Sequence, residues 1–251
     1  MFGKLLKHEF RATGRVALPL LGGMLVLAVM SHLALYSGVF GRGMVGSAIM
    51  ILYFMSFFAV GVGVVVMTVL RFRGSVLGDE GYLTMTLPVS LHAILASKVL
   101  TAVAWYALSL AAIALSVMIA GMGVDDWSML PDILSGLRGF LRENAGGVAL
   151  ALADMLAMAV QATLLFYAAM SIGHSFNRHK GLLSVVSFFV LNGALRALSL
   201  RVIYLLEGQR ELSSAFLIQR TLAPALGVIL LCAAVLYAVT WWCLRRRLNL
   251  E

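Results

Sequence analysis

The chain has 251 residues, of which 62% are hydrophobic and only 12% are charged, and its formal net charge is +8. Soluble domains carry roughly 25% charged residues and lack repeated apolar stretches of about 20 residues. The composition therefore excludes a soluble globular protein and predicts an integral membrane protein. The positive charge does not indicate nucleic-acid binding, because Lys and Arg are distributed over the short segments between apolar runs.

The first fifteen residues, MFGKLLKHEFRATGR, predict a short amphipathic helix that precedes the first membrane span. Apolar residues recur there at helical spacing, and basic residues occupy the opposite face. A helix of this kind lies in the membrane interface, with its basic face toward the lipid headgroups. A disordered basic tail is the alternative.

Six apolar segments predict six transmembrane helices. They cover residues 16–37, 44–70, 96–123, 148–173, 182–205 and 220–243. Each is long enough to cross a hydrocarbon core of about 30 Å at a rise of about 1.5 Å per residue. The first is longer than the apolar part of a typical signal peptide, so we expect it to be retained. The predicted fold is an all-α membrane protein with a single domain over residues 1–251.

The distribution of basic residues predicts the orientation in the membrane. The connections alternate between two sets, which carry twelve and five Lys or Arg residues. The richer set is Lys4, Lys7, Arg11, Arg15, Arg71, Arg73, Lys98, Arg178, Lys180, Arg245, Arg246 and Arg247, and the poorer set is Arg42, Arg138, Arg142, Arg210 and Arg220. Because basic residues concentrate in cytoplasmic loops, both termini and the loop after the second span are predicted to be cytoplasmic.

The longest external connection, residues 124–147, predicts an additional helix between the third and fourth spans. Within SMLPDILSGLRGFLREN the apolar residues recur at helical spacing, Ser128 is a suitable N-cap, and Pro131 fits the first turn. The segment is too short to cross a membrane. It is therefore expected to lie in the external interface or to cover the helix bundle.

Three ionisable residues fall within the predicted fourth and fifth spans, namely Asp154, Arg196 and Arg201. Their expected depths below the outer surface overlap, and an unpaired charge in lipid costs at least about 2.5 kcal/mol. They are candidate polar elements of a translocation route. The alternative is an interhelical ion pair that serves stability alone.

The sequence shows no catalytic or metal-binding constellation. It lacks the glycine-rich lysine loop that cradles nucleotide phosphates, its histidines are not spaced as metal ligands, and only one aspartate lies inside a span. We therefore predict no enzymatic activity and no metal or cofactor in this chain.

The segment RFRGSVLGDEGYLTMTLPVS, residues 71–90, contains more structure than a simple turn between two spans requires. Gly78 and Asp79 suit a turn followed by a helix N-cap, and Glu80 in the first turn is favoured by the helix dipole. Pro88 stops the helix, because the residue before a proline avoids the helical region. The sequence predicts a short cytoplasmic helix.

This loop carries a family resemblance. Preceded by KLLKHEFR and two spans, RFRGSVLGDEGYLTMTLPVSLHAILASK is similar to permease subunits of bacterial ABC transporters of the ABC-2 type, particularly those with loops like GDEGYLTxTLP that are linked with peptide or antimicrobial export. The resemblance implies location in the bacterial cytoplasmic membrane among its lipids. It also implies assembly with a second permease, identical or homologous, and with separate ATPase subunits that bind ATP and Mg²⁺.

The resemblance further implies that residues 71–92 form the coupling loop, which contacts the ATPase. The implied contact residues are Asp79, Glu80, Gly81, Tyr82, Leu83 and Thr84, flanked by Arg71 and Arg73. The second cytoplasmic loop, HSFNRHKG at 174–181, is expected to add a smaller contact. The chain departs from better-known members, whose external helix lies between the fifth and sixth spans. The alternative function is an ATP-independent channel or a secondary transporter.

Overall fold

A computed structural model describes residues 2–36, 43–78, 81, 88–121, 128, 130–176, 178–207 and 217–246, with side chains omitted at 203, 206–207, 217–222 and 246. Within these residues every regular element is a helix. The elements are α1 (Phe2–Tyr36), α2 (Met44–Phe72), a π-helix (Arg73–Leu77), α3 (Leu91–Gly121), α4 (Leu130–Glu143), α5 (Ala145–Gly173), α6 (Lys180–Glu207) and α7 (Leu217–Arg246).

Six of these helices are long and apolar enough to cross a membrane, which confirms the six predicted spans. The spanning segments are Phe2–Tyr36, Met44–Leu77, Leu91–Gly121, Ala145–Gly173, Lys180–Val202 and Ala223–Arg245. At 14 residues, α4 is about 21 Å long and too short to cross. The chain is therefore a multi-pass membrane protein made of helices.

The amphipathic segment at the N-terminus is helical, but it forms the first turns of α1 and does not end before the first span. This segment packs against α3. The indole Nε1 of Trp105 donates a hydrogen bond of 2.8 Å to the Thr13 hydroxyl, and Gly14 lies beside the same indole ring. Glu9 and Thr13 are buried. The segment is thus partly a core element, which hydropathy alone does not reveal.

The chain divides into two compact units. The first consists mainly of residues 3–68 and 100–140. Its main core is formed by apolar side chains of α1, α2 and α3, including Met24, Val60 and Trp105.

The second unit consists mainly of residues 69–99 and 141–251. In its core, α5 packs against both α6 and α7, with Leu164, Ala168 and Leu236 among the buried residues. A second core cluster joins the end of α2, the π-helix, the start of α3, α5 and the end of α7. This cluster supports the region that the sequence marks as functional.

Candidate functional site

The segments 71–78 and 88–99, which lead into and out of the predicted coupling loop, form the candidate site, and we call them the loop base. Of the residues expected to contact an ATPase, the structure describes Arg71, Arg73 and Gly81. The other predicted contact residues, Asp79, Glu80, Tyr82, Leu83 and Thr84, lie outside the described residues.

A buried lysine connects the two sides of the loop base. Lys98, near the start of α3, is only 4% exposed, and its ammonium donates a hydrogen bond of 2.5 Å to the Ser75 hydroxyl. That hydroxyl in turn donates to the Arg71 carbonyl oxygen, also at 2.5 Å. The chain of bonds ties α3 to the π-helix at the end of α2. A π-turn inside a helix is uncommon and is frequently found at functional sites.

An aromatic stack fixes the start of the π-helix against α5. Phe72 is fully buried, and its ring lies 3.9 Å from that of Tyr167 with only 10° between the ring planes. Val76 and Leu77 of the π-helix and Leu95 of α3 are buried in the same cluster. The first side of the loop base is therefore embedded in the core of the second unit.

The other side of the loop base is joined to the end of α7 by His92. The imidazole lies close to two aromatic rings of α7, with ring centroids 5.9 Å from Tyr237 and 5.5 Å from Trp241. Its Nδ1 shares a hydrogen bond of 2.6 Å with the Tyr237 hydroxyl. The Arg245 guanidinium lies 5.0 Å from the Trp241 ring, at cation–π distance.

The backbone is closely packed where the π-helix ends. Gly78 ends the π-helix in an extended conformation, and its carbonyl oxygen accepts a hydrogen bond of 2.7 Å from the Gly81 amide. A Cβ atom at Gly78 would lie 3.1 Å from the Gly74 carbonyl oxygen. A side chain at Gly78 would therefore crowd the end of the π-helix, while the N-cap predicted at Asp79 and Glu80 lies outside the described residues.

The two predicted cytoplasmic loops approach each other at Arg73. The imidazole Nδ1 of His174, just after α5, donates a hydrogen bond of 3.0 Å to the Met170 carbonyl oxygen. Burial lowers the pKa of His174 below its ordinary value, and that hydrogen bond partly offsets the shift. The nearby charges of Arg73 and Lys180 lower the pKa further. The structure thus places the side chains of Arg73, His174 and Lys180 near one another.

The three candidate intramembrane residues are not brought together. Asp154 is buried in α5, and neither of its carboxylate oxygens has a hydrogen-bond partner among the residues the structure describes. Arg196 and Arg201 of α6 are exposed. The alternative of an ion pair between Asp154 and these arginines is therefore not seen. Whether Asp154 serves translocation stays a prediction.

Several residues that hold the loop base in place cannot be singled out from the sequence. The charge pattern assigns Lys98 only to the cytoplasmic interface, and it gives no role to His92 or to its α7 partner Tyr237. The signal for Lys98 was its position within an otherwise apolar segment, since a lysine there requires a buried partner. Nothing in the local sequence marks the His92 stack, because its partners lie about 150 residues away in the chain.

No family model, no curated protein and no solved structure matches the chain.

Proposed function

We propose that this chain is the permease subunit of an ATP-driven ABC exporter, which forms the membrane pathway and is coupled to a separate ATPase subunit. The observation that carries the proposal is the sequence GDEGYLTMTLP at 78–88, placed between two membrane-spanning helices. This loop resembles the coupling loop of ABC-2 permeases, and the proposed role as a permease subunit follows from that resemblance.

The structure of the loop base supports this proposal on mechanical grounds. A coupling loop transmits movement of the ATPase to membrane helices, which requires both of its ends to be held by rigid elements. One end is held by the Lys98–Ser75 hydrogen bond and the Phe72–Tyr167 stack. The other is held by His92, which contacts Tyr237 and Trp241 of α7. A push on the loop would therefore reach α2, α3, α5 and α7 together.

The charge of the neighbouring surface favours an acidic partner. Arg73 and Arg178 are exposed, and Lys180 is half-buried at the start of α6. Complementary charge steers association and fixes orientation more than it adds affinity. We infer that the ATPase presents acidic residues opposite Arg73 and Arg178 and a basic residue opposite Glu80, and that the second cytoplasmic loop adds a smaller contact.

The remaining parts of the proposal follow from the resemblance. The complex contains a second permease, identical or homologous, and ATP and Mg²⁺ are bound by the ATPase subunits. It lies in the bacterial cytoplasmic membrane, with both termini in the cytoplasm. The exported substrates are peptides or antimicrobial, lipid-like amphiphiles, and Asp154, Arg196 and Arg201 are candidate polar elements of their route.

The test is purification of the tagged chain in mild detergent from its own host, with mass spectrometry of the bound proteins. We expect an ATPase with a nucleotide-binding loop in near-equal amount, and vanadate-sensitive ATP hydrolysis by the complex. Glu80→Arg places a charge of the wrong sign in the docking helix, so it is expected to lower ATPase recovery at least about tenfold. Glu143→Arg, the same charge change in exposed α4, is the matched control.

Two outcomes would overturn the proposal. One is a purified chain that never retains an ATPase. The other is solute flux through the chain alone, in liposomes without ATP, which would favour the channel or secondary transporter. Equal ATPase recovery with Glu80→Arg and Glu143→Arg would remove the coupling role of the loop while leaving the permease assignment in place.

A further inference from the structure

The amphipathic helix α4, Leu130–Glu143, has a largely exposed apolar face. None of its residues is buried. Five large apolar side chains are between 42% and 57% exposed: Ile133, Leu134, Leu137, Phe140 and Leu141. A group of exposed apolar side chains this large marks a surface that is covered by something other than water.

The apolar residues of α4 occupy one face. At about 100° per residue, the five exposed side chains and Leu130 fall within an arc of about 120°. The four charged residues, Asp132, Arg138, Arg142 and Glu143, fall outside this arc. This pattern is typical of a helix that lies along a boundary between an apolar and a polar medium.

We propose that α4 lies in the membrane surface, with its apolar face inserted at the boundary between lipid headgroups and acyl chains. The position of α4 in the chain identifies lipid as the occupant. A single residue, Asn144, separates α4 from α5, which is one of the six membrane-spanning helices. The end of α4 is therefore held at the level where α5 enters the membrane.

The backbone at Asn144 allows α4 to take a different direction from α5. Asn144 has φ −111° and ψ 25°, outside the helical region, so the two helices are not one continuous rod. Its carbonyl oxygen nevertheless accepts a hydrogen bond of 2.9 Å from the Val148 amide and begins α5. A helix with one apolar face that starts at the membrane surface is stabilised by lying along that surface.

The charges of α4 indicate which lipids it requires. Asp132 and Glu143 balance Arg138 and Arg142, so the helix has no net charge. Attraction to anionic lipid therefore contributes little, and burial of apolar side chains supplies the binding. Zwitterionic phosphatidylcholine is expected to suffice, and added salt is expected to have no effect.

The test uses the full-length protein with a single NBD fluorophore on α4, reconstituted in phosphatidylcholine vesicles with brominated acyl chains. Both native cysteines are buried and are replaced by alanine. Leu137→Cys labels the apolar face. Ser135→Cys labels the polar face two residues away and is the matched control. Leu134→Cys is a second apolar label.

Bromine quenches only fluorophores that contact acyl chains. We expect emission at residues 137 and 134 to fall at least about twofold in brominated lipid, and emission at residue 135 to stay unchanged. Replacing about a third of the lipid with phosphatidylglycerol, or adding salt, is expected to leave these ratios unchanged.

Three outcomes would overturn the proposal. Water-like, unquenched emission at all positions would show that the apolar face is solvated. Blue-shifted but unquenched emission at residues 137 and 134 would show a protein surface, either a second copy or a partner. Quenching that requires anionic lipid would show electrostatic attraction. None of these outcomes depends on whether the chain binds an ATPase, so the proposed function is tested separately.

Discussion

Individual polar side chains of the loop base are satisfied by one another inside the protein. Lys98 donates to Ser75, and Ser75 donates to a backbone carbonyl of α2. A buried polar group without a partner costs about 1 to 3 kcal/mol, roughly twice what a formed hydrogen bond contributes. Removing either Lys98 or Ser75 is therefore expected to lower stability by more than the loss of one hydrogen bond, because the other polar group stays buried.

Lys98→Met and Ser75→Ala are expected to be coupled. Lys98→Met is expected to lower the free energy of unfolding by about 2 kcal/mol, because a charge-assisted bond is lost. Ser75→Ala is expected to cost about 1 to 3 kcal/mol, since the ammonium loses a partner. The double variant should cost about 1 kcal/mol less than the sum.

Steric trapping in bicelles measures these free energies of unfolding. Ser109→Ala is the matched control, because the buried Ser109 hydroxyl donates to the Trp105 carbonyl in the same manner but lies in the first unit. The loss of unfolding free energy in Ser109→Ala is expected to add to that in Lys98→Met without coupling. Additive costs for Lys98 and Ser75 would contradict the bond between them.

His174 is expected to make the second unit less stable at acidic pH. Its pKa in the folded protein is lowered, chiefly by burial, so the unfolded chain binds the proton more readily. Stability is therefore complete above the ordinary histidine pKa of about 6.5 and falls as the pH drops through that value. The loss stops once the pH is below the folded-state pKa.

Thermal unfolding followed by tryptophan fluorescence between about pH 7.5 and pH 5.5 measures this effect. His174→Gln is expected to reduce the fall in Tm over this range. His179→Gln, an exposed histidine of the same loop, is the control and keeps the wild-type response. Identical pH profiles for wild type and His174→Gln would contradict the assignment.

Whole elements were more predictable from the sequence than these residues. All six spans were found, because an apolar run of about 20 residues has no other stable environment. The helices extend beyond the runs at several ends: α1 begins at Phe2 and α3 at Leu91. Hydropathy detects only the apolar part of each helix. The backbone hydrogen bonds of the helix continue into the polar residues at its ends, so the helix is longer than the apolar run. The π-helix has no such signal and was not predicted.

The close approach of α5 and α6 depends on Gly173. A Cβ atom at this position would overlap Ser184, lying 2.5 Å from its amide nitrogen and 2.7 Å from its Cα. Because the Ser184 nitrogen and Cα are backbone atoms, they cannot rotate away, and the two helices must separate to accommodate a side chain at residue 173. Gly173→Ala is expected to lower the free energy of unfolding by about 2 kcal/mol or more.

Gly193→Ala is the matched control, since a Cβ there has nothing within 4 Å. It is expected to be neutral or slightly stabilising, because alanine favours helices by about 1 kcal/mol. Unfolding titrations in detergent compare the two variants. Equal stability of Gly173→Ala and Gly193→Ala would contradict the observed packing.

At the scale of the whole molecule, the number of spans and the charge pattern together predict the topology. Six crossings would put both ends of the chain on one side, and the basic connections predict that this side is the cytoplasm. Residue 90 in the loop base and residue 135 in α4 should then lie on opposite sides of the membrane.

Cysteine labelling in intact cells tests this arrangement. Ser90 and Ser135 are both exposed, so Ser90→Cys and Ser135→Cys form a matched pair in a background without native cysteines. A membrane-impermeant maleimide is expected to label residue 135 in intact cells and residue 90 only after the membrane is opened. The reverse pattern would invert the orientation.

The π-helix at Arg73–Leu77 also accommodates one more residue per turn than an α-helix does, because its hydrogen bonds span five residues and not four. Successive residues of an α-helix are rotated by about 100°, so an extra residue in an α-helical turn would rotate everything that follows by that angle. The wider π-turn absorbs the extra residue locally. Deleting one residue from Arg73–Leu77, so that the turn closes as an α-helical one, is therefore expected to leave Gly78 at nearly the same angle around the helix axis.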